Sequence, residues 1–191
     1  MCRMLLSSKR GIIEYDKKYS VLKLLDHLVK ELGGDGNGIV LIKDKIIKFY
    51  KRGVSLSILD CYNYMINMEY NYIIFHTRLA SIGSISDKNC HPFVYKNSCL
   101  AMNGTIHEFK FQDDKTDTEM LFEIVKKKPM NDVIKKLKEF DSSFIGCVNG
   151  NPFAIRNINS LMRWGGLIVS SFPKEVLDIH EFGYGEVWKG G

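Results

Sequence analysis

Strands come in groups along this chain, with helices between and after them. That order limits the fold more than any other feature. Residues 2–6 read as a short apolar strand. Ser20 can cap a helix with the stripe Val21, Leu24, Leu25, Leu28 and Leu32, ended by Gly33 and Gly34. The apolar runs 39–42 and 46–50, joined by Lys43-Asp44-Lys45, predict a hairpin. Ser55 or Ser57 can start a helix carrying Ile58, Cys61, Tyr62, Met65 and Met68, all expected in the core. Strands at 72–76 and 98–102 flank a polar, Gly- and Pro-punctuated loop over 77–93. Thr116-Asp117-Thr118-Glu119 has capping-box spacing ahead of Met120, Leu121, Ile124 and Val125. Lys126-Lys127-Lys128-Pro129 ends that helix, and a short helix over 131–140 follows. Asn149-Gly150, between the runs 144–148 and 153–157, predicts a tight hairpin. A strand at 167–171 and a mixed Gly and aromatic stretch at 179–188 close the chain. Regularly alternating strands and helices would indicate a parallel sheet; this grouping predicts an α+β layered domain instead.

A chain of 191 residues can bury a good-sized core, and no linker or repeat divides it, so residues 1–191 are expected to form a single domain. The net charge is +5, but no Lys/Arg cluster is interleaved with aromatics, so nucleic acid is not an expected partner. No apolar run reaches the length of a membrane span, and no basic head precedes an apolar segment at the start, so no membrane is expected either. The five cysteines, at 2, 61, 90, 99 and 147, are odd in number and lack CxxC spacing. They indicate neither a zinc site nor a disulfide framework, and they fit a reducing, cytoplasmic setting. His76 and His91 have no carboxylate at metal-ligand spacing and read as structural, so no metal or other cofactor is expected. The glycine-rich loop at 33–38 lacks the Lys-Ser/Thr ending of a phosphate cradle.

Chemistry points to Cys2. Removal of Met1 would leave one residue bearing both a thiol and a free α-amine. The amine has a pKa of about 8, so much of it is a neutral base near pH 7. A thiol at about 8.5 needs only a modest push to become the nucleophilic thiolate. An acyl-transfer site on an amino-acid amide needs more than a nucleophile. The Asn103 amide and the Gly104 N–H could stabilise an oxyanion. Arg78 offers a fork for a carboxylate, and Asp117 an anion for an ammonium group. Each residue also has an ordinary reading. Asn103-Gly104 is a common turn dipeptide, Asp117 suits a first helical turn, and Arg78 could pair at the surface.

Taken together, these segments resemble the class II glutamine amidotransferase domains of the N-terminal nucleophile (Ntn) hydrolase superfamily, with the stand-alone members nearest in form. The resemblance rests on Met1-Cys2, Gly34-Asp35-Gly36-Asn37-Gly38-Ile39, His76-Thr77-Arg78 with Ala80 and Gly83, His91-Pro92-Phe93, Asn103-Gly104-Thr105-Ile106 and Thr116-Asp117-Thr118-Glu119, in the family's order. It covers roughly the first two-thirds of the chain. It implies a four-layer αββα sandwich of the Ntn-hydrolase type. It implies Cys2 as nucleophile, Asn103 and Gly104 as oxyanion hole, and Arg78, Ser81 and Asp117 as glutamine-binding residues. It also implies hydrolysis of glutamine to glutamate and ammonia through a γ-glutamyl thioester, with a separate ammonia-accepting synthase subunit as possible partner. The chain departs from the family at Met102, where many members have His, and at Leu79 and Ile82 on the substrate loop. Those departures leave open an Ntn amidase acting on another γ-glutamyl amide, or a silent relative that binds a ligand or partner.

Overall fold

The computed structural model describes residues 2–81, 83–109 and 115–190. Alternation along the strands sets its layers. The first strand, β1 (Arg3–Ser8), sends Leu5 into one core and Met4 and Leu6 into another. A strand with period two can be apolar on both faces only when each face is covered. Three helices cover the first face: α1 (Lys9–Tyr19), α2 (Val21–Leu32) and α3 (Ile58–Asn67). The strands β2 (Asn37–Lys43) and β4 (Tyr72–Thr77) repeat the split. Ile39, Leu41, Ile73 and Phe75 face the helices, while Val40, Ile42 and Ile74 face the other way.

With β3 (Ile46–Gly53), β9 (Met162–Trp164), β10 (Leu167–Val169) and β11 (His180–Glu181), these strands form an antiparallel sheet ordered β11-β9-β10-β1-β4-β2-β3. The second sheet contains β5 (Phe93–Tyr95), β6 (Ser98–Asn103), β7 (Ser143–Val148), β8 (Asn151–Ile155) and β12 (Val187–Lys189), ordered β12-β8-β7-β6-β5. Its inner face brings Cys99, Ala101, Ile145, Cys147 and Ala154 against the first sheet. Its outer face is covered by α4 (Asp117–Val125) and α5 (Met130–Leu137), packed through Leu121, Phe122, Val133 and Leu137. The result is a four-layer αββα sandwich, the layering that the resemblance implies.

Local chemistry explains most boundaries. Asn149 and Gly150 turn β7 into β8 with φ of 49° and 73°, and Asp44 and Lys45 turn β2 into β3 with 52° and 61°. Paired positive φ values match the twist of antiparallel strands. Thr116 accepts a hydrogen bond from the Glu119 N–H (3.1 Å), and a reciprocal capping box forms at Ser57 and Asp60. Helix α1 has no counterpart in the sequence pattern. Ser8 caps it, and Gly11 lets it lie on the β9–β10 turn, where a Cβ would come 2.9 Å from the Gly166 carbonyl carbon. Asn103-Gly104 is no hairpin turn: it ends β6, and the chain leaves toward α4.

Candidate active site

The register of the first sheet brings distant residues together. β1 and β4 pair from Arg3↔Thr77 to Ser8↔Tyr72, so Cys2, one step before β1, comes opposite Arg78, one step past β4. Cys2 has the parity of Met4 and Leu6 and faces the second sheet. Asn103 has the parity of Cys99 and Ala101 and faces the first. Both lie at the same end of the sandwich. The Cys2 Sγ is 3.6 Å from the Leu79 carbonyl oxygen, and the residue is 6% exposed.

The segment after β4 is clamped by the glycine-rich loop. The Asp35 N–H donates to the Arg78 carbonyl (2.9 Å), and the Arg78 N–H donates to the Gly36 carbonyl (2.8 Å). The Asp35 carboxylate then accepts from the Ala80 N–H (2.8 Å). The loop that sequence leaves without a role thus fixes the backbone carrying Arg78 and Leu79. The buried Arg78 guanidinium donates to the carbonyls of Ser84 (2.8 Å) and Gly83 (3.3 Å). Ser81 is exposed, with its hydroxyl 3.2 Å from that of Thr105. Ile82 and Met1 lie outside the described residues.

Asp117 opens α4. It is buried, and its carboxylate accepts from the Ile106 N–H and the Thr118 N–H, each at 2.8 Å. It thereby ties the turn after Gly104 to the helix. Asn103 is 1% exposed, and its side-chain oxygen has no hydrogen-bond partner among the described residues. Its carbonyl accepts from the Asn159 side-chain amide (2.7 Å). The Asn159 carbonyl in turn accepts from the Ser143 hydroxyl, which itself accepts from the Asn157 N–H (3.1 Å). Gly104 has φ of 142°, and a Cβ there would come 2.8 Å from the Ser142 Cβ and 2.9 Å from the Asn159 Nδ2. Ser143 and Asn159 therefore brace Asn103-Gly104 from behind. No sequence signal points to them, because they sit in the last third of the chain. Asp35, by contrast, stands in the Gly34-Asp35-Gly36 motif.

Burial dominates the electrostatics. It pushes the Cys2 thiol up; a backbone hydrogen bond at Leu79, the N-terminal charge and the charge of Arg78 pull it back, and Asp117 adds to the rise. The resting thiol thus holds its proton at neutral pH, and a base is needed to take it. Burial also raises the Asp117 carboxyl, opposed by its hydrogen bonds from Ile106 and Thr118. Among the described residues, no group of three or more His, Cys, Asp or Glu could hold a metal ion, and no helix is long and apolar enough to cross a membrane. Two cavities of about 460 and 560 Å³ lie at the opposite end, beside Lys9, Lys45 and Asn151 and beside Lys96, Lys127 and Lys128.

No protein-family model matches the chain. It is 30% identical over 131 residues to a glutamine–fructose-6-phosphate aminotransferase (isomerizing) of Buchnera aphidicola; the match covers 60% of this chain and 22% of that protein. The chain thus spans about a fifth of the length of the curated relatives it first matches. Among solved structures, a glutamine aminotransferase class-II domain protein from Silicibacter pomeroyi superposes with a TM-score of 0.60 at 16% identity, covering 98% of this chain and 94% of that one. The glutamine phosphoribosylpyrophosphate amidotransferase of Bacillus subtilis superposes with a TM-score of 0.59 at 17% identity, over 88% of this chain and 41% of that one. The chain thus has the Ntn-hydrolase fold of the class II glutamine amidotransferases, stand-alone domains among them, and resembles those enzymes in sequence.

Proposed function

We propose that residues 1–191 form one glutaminase domain, an enzyme that hydrolyses the side-chain amide of glutamine to glutamate and ammonia. The observation that carries this reading is the strand register, which sets Cys2 opposite Arg78 at the end of the sandwich where Asn103 faces inward. With Met1 removed, the α-amine of Cys2 takes the thiol proton, directly or through a water. The thiolate attacks the amide carbonyl carbon. The oxygen that becomes negative is held by the Asn103 side-chain amide and the Gly104 N–H. The ammonium proton passes to the departing nitrogen, the C–N bond breaks, and ammonia leaves behind a γ-glutamyl thioester. Water, deprotonated by the same amine, attacks the thioester and releases glutamate and the thiol.

Arg78 binds the α-carboxylate of glutamine, with Ser81 beside it, and Asp117 binds the α-ammonium. All three are anchored by backbone or hydroxyl contacts in neighbouring loops, which supports a pre-formed grip on the amino acid. The ammonia acceptor is a separate synthase subunit, and the setting is cytoplasmic. The reading is tested by ammonia release from glutamine, with Cys2→Ala as control. Equal release by both proteins would remove Cys2 from the chemistry.

A further inference from the structure

His76 bonds the strand that ends in the proposed oxyanion donors. It lies on β4 of the first sheet with no exposed surface, among the residues between the sheets. Its Nε2 is 3.2 Å from the carbonyl oxygen of Met102, on β6 of the second sheet. A carbonyl oxygen can only accept, so Nε2 carries the hydrogen and the ring is the Nε2–H tautomer. Burial keeps that ring neutral, lowering its pKa to about 3, with the charge of Arg78 acting the same way and the bond to Met102 opposing. The ring is itself held in place. The His91 ring lies 4.3 Å away, packed in turn on Phe93 at 5.0 Å.

The end of β6 needs such a tie. On one side it pairs with β7 through Ala101↔Ile145, Met102↔Phe144 and Asn103↔Ser143. On the other side the ladder with β5 stops at Phe93↔Leu100. The residue before Phe93 is Pro92, which has no N–H to continue the ladder. Among the described residues, Ala101, Met102 and Asn103 are therefore strand-paired on one side alone, and the bond from His76 reaches them from the facing sheet. The carbonyl it holds is one peptide away from Asn103.

We infer that His76 is a positioning residue: its Nε2–H bond to the Met102 carbonyl fixes the half-paired end of β6, and with it the Asn103 amide and Gly104 N–H, relative to the strand that carries Cys2. The inference rests on the catalytic reading given above. A small displacement of a preorganised donor is felt in the transition state more than in the bound substrate. His76 therefore acts on kcat without touching the substrate.

The test compares His76→Phe, which keeps a ring but loses the donor, with His76→Gln, whose amide can donate to the same carbonyl. For His76→Phe we expect kcat for ammonia release to fall on the order of tenfold or more, with KM for glutamine within about twofold. His76→Gln should recover much of that loss. Alkylation of Cys2 by iodoacetamide forms no oxyanion and should run at the parental rate in both variants. Unchanged kcat in His76→Phe, no recovery in His76→Gln, or alkylation that slows in step with hydrolysis would each overturn the inference. Amide hydrogen exchange over Met102, Asn103 and Gly104 gives a readout that does not depend on glutamine. It should quicken in His76→Phe and return toward the parental rate in His76→Gln. A parent that releases no ammonia defeats the catalytic reading. Unchanged exchange in His76→Phe separately defeats the placement of β6.

Discussion

The two ends of the β-sandwich are built differently. At one end, chain reversals are two-residue turns: Asp44-Lys45 and Asn149-Gly150 bring the strands back with little side-chain reach. Lysines rim open cavities there, and the ammonium of Lys9 is spent on the carbonyls of Met65, Ile66 and Met68 at the end of α3. At the other end the strands run into longer segments after Thr77 and Asn103. Side chains pin those segments: Asp35 holds Ala80, Ser81 meets Thr105, and Asp117 holds Ile106. Cys2, Arg78, Asn103 and Asp117 are all buried in that end. A tight turn satisfies its own backbone and leaves no room for chemistry. A long loop must be pinned by side chains, and those bonds fix the geometry that a reaction site needs.

This contrast predicts a graded response to change. The largest effect belongs to the N-terminus of Cys2. A retained or extended Met1 turns the base into an amide, whose lone pair is delocalised into the carbonyl and cannot accept the thiol proton. Ammonia release should be lost while the fold persists, with intact mass confirming each N-terminal state. Equal rates for trimmed and extended forms would exclude Cys2 as an N-terminal nucleophile. Next, Asn103→Ala should lower kcat on the order of a hundredfold with little change in KM, because an oxyanion donor is needed most in the transition state. Arg78→Ala and Asp117→Ala should act chiefly through KM, raising it roughly tenfold to a hundredfold, since each loses a charge-assisted contact of about 1.5–3 kcal/mol. Steady-state kinetics showing the opposite split would exchange the roles of these residues.

The smallest effect on activity is expected at the opposite end. Gly150 has φ of 73°, and a Cβ there would overlap the backbone of Lys45 in the neighbouring turn. A left-handed conformation costs a side-chain-bearing residue about 1–2 kcal/mol before any overlap. Gly150→Ala should therefore lower Tm by several degrees, read by thermal unfolding, while folded protein keeps its rate of ammonia release within about twofold. A large loss of kcat at intact fold would mean that the two ends are coupled.

Much of the fold was readable from local pattern. The cap at Ser55 or Ser57, which falls on Ser57, the Asn149-Gly150 turn and the apolar stripes of α2 and β2 each depend on residues only a few positions apart. Helix α1 was not readable. Its sequence is rich in charge and holds a glycine, and its place depends on close approach to Gly166, far along the chain. The short strands β9, β11 and β12 depend likewise on partners that local pattern cannot name.

The site divides the same way. Sequence alone determined which residue types could do acyl transfer and where they stand: a thiol at position 2, Asn-Gly after an apolar run, an acid at a helix start. It also named Asp35 within a motif but gave it no task. Only the tertiary structure decided that Cys2 lies opposite Arg78, that Asp35 grips the Arg78 segment, that Asn159 and Ser143 stand behind Asn103, and that His76 bridges the sheets to Met102. The physical reason is range. Propensity, capping and turn chemistry act over a few residues. The pairing register of strands far apart in the chain and the stacking of two sheets are set by burying both faces of each strand at once, which no short stretch of sequence can specify.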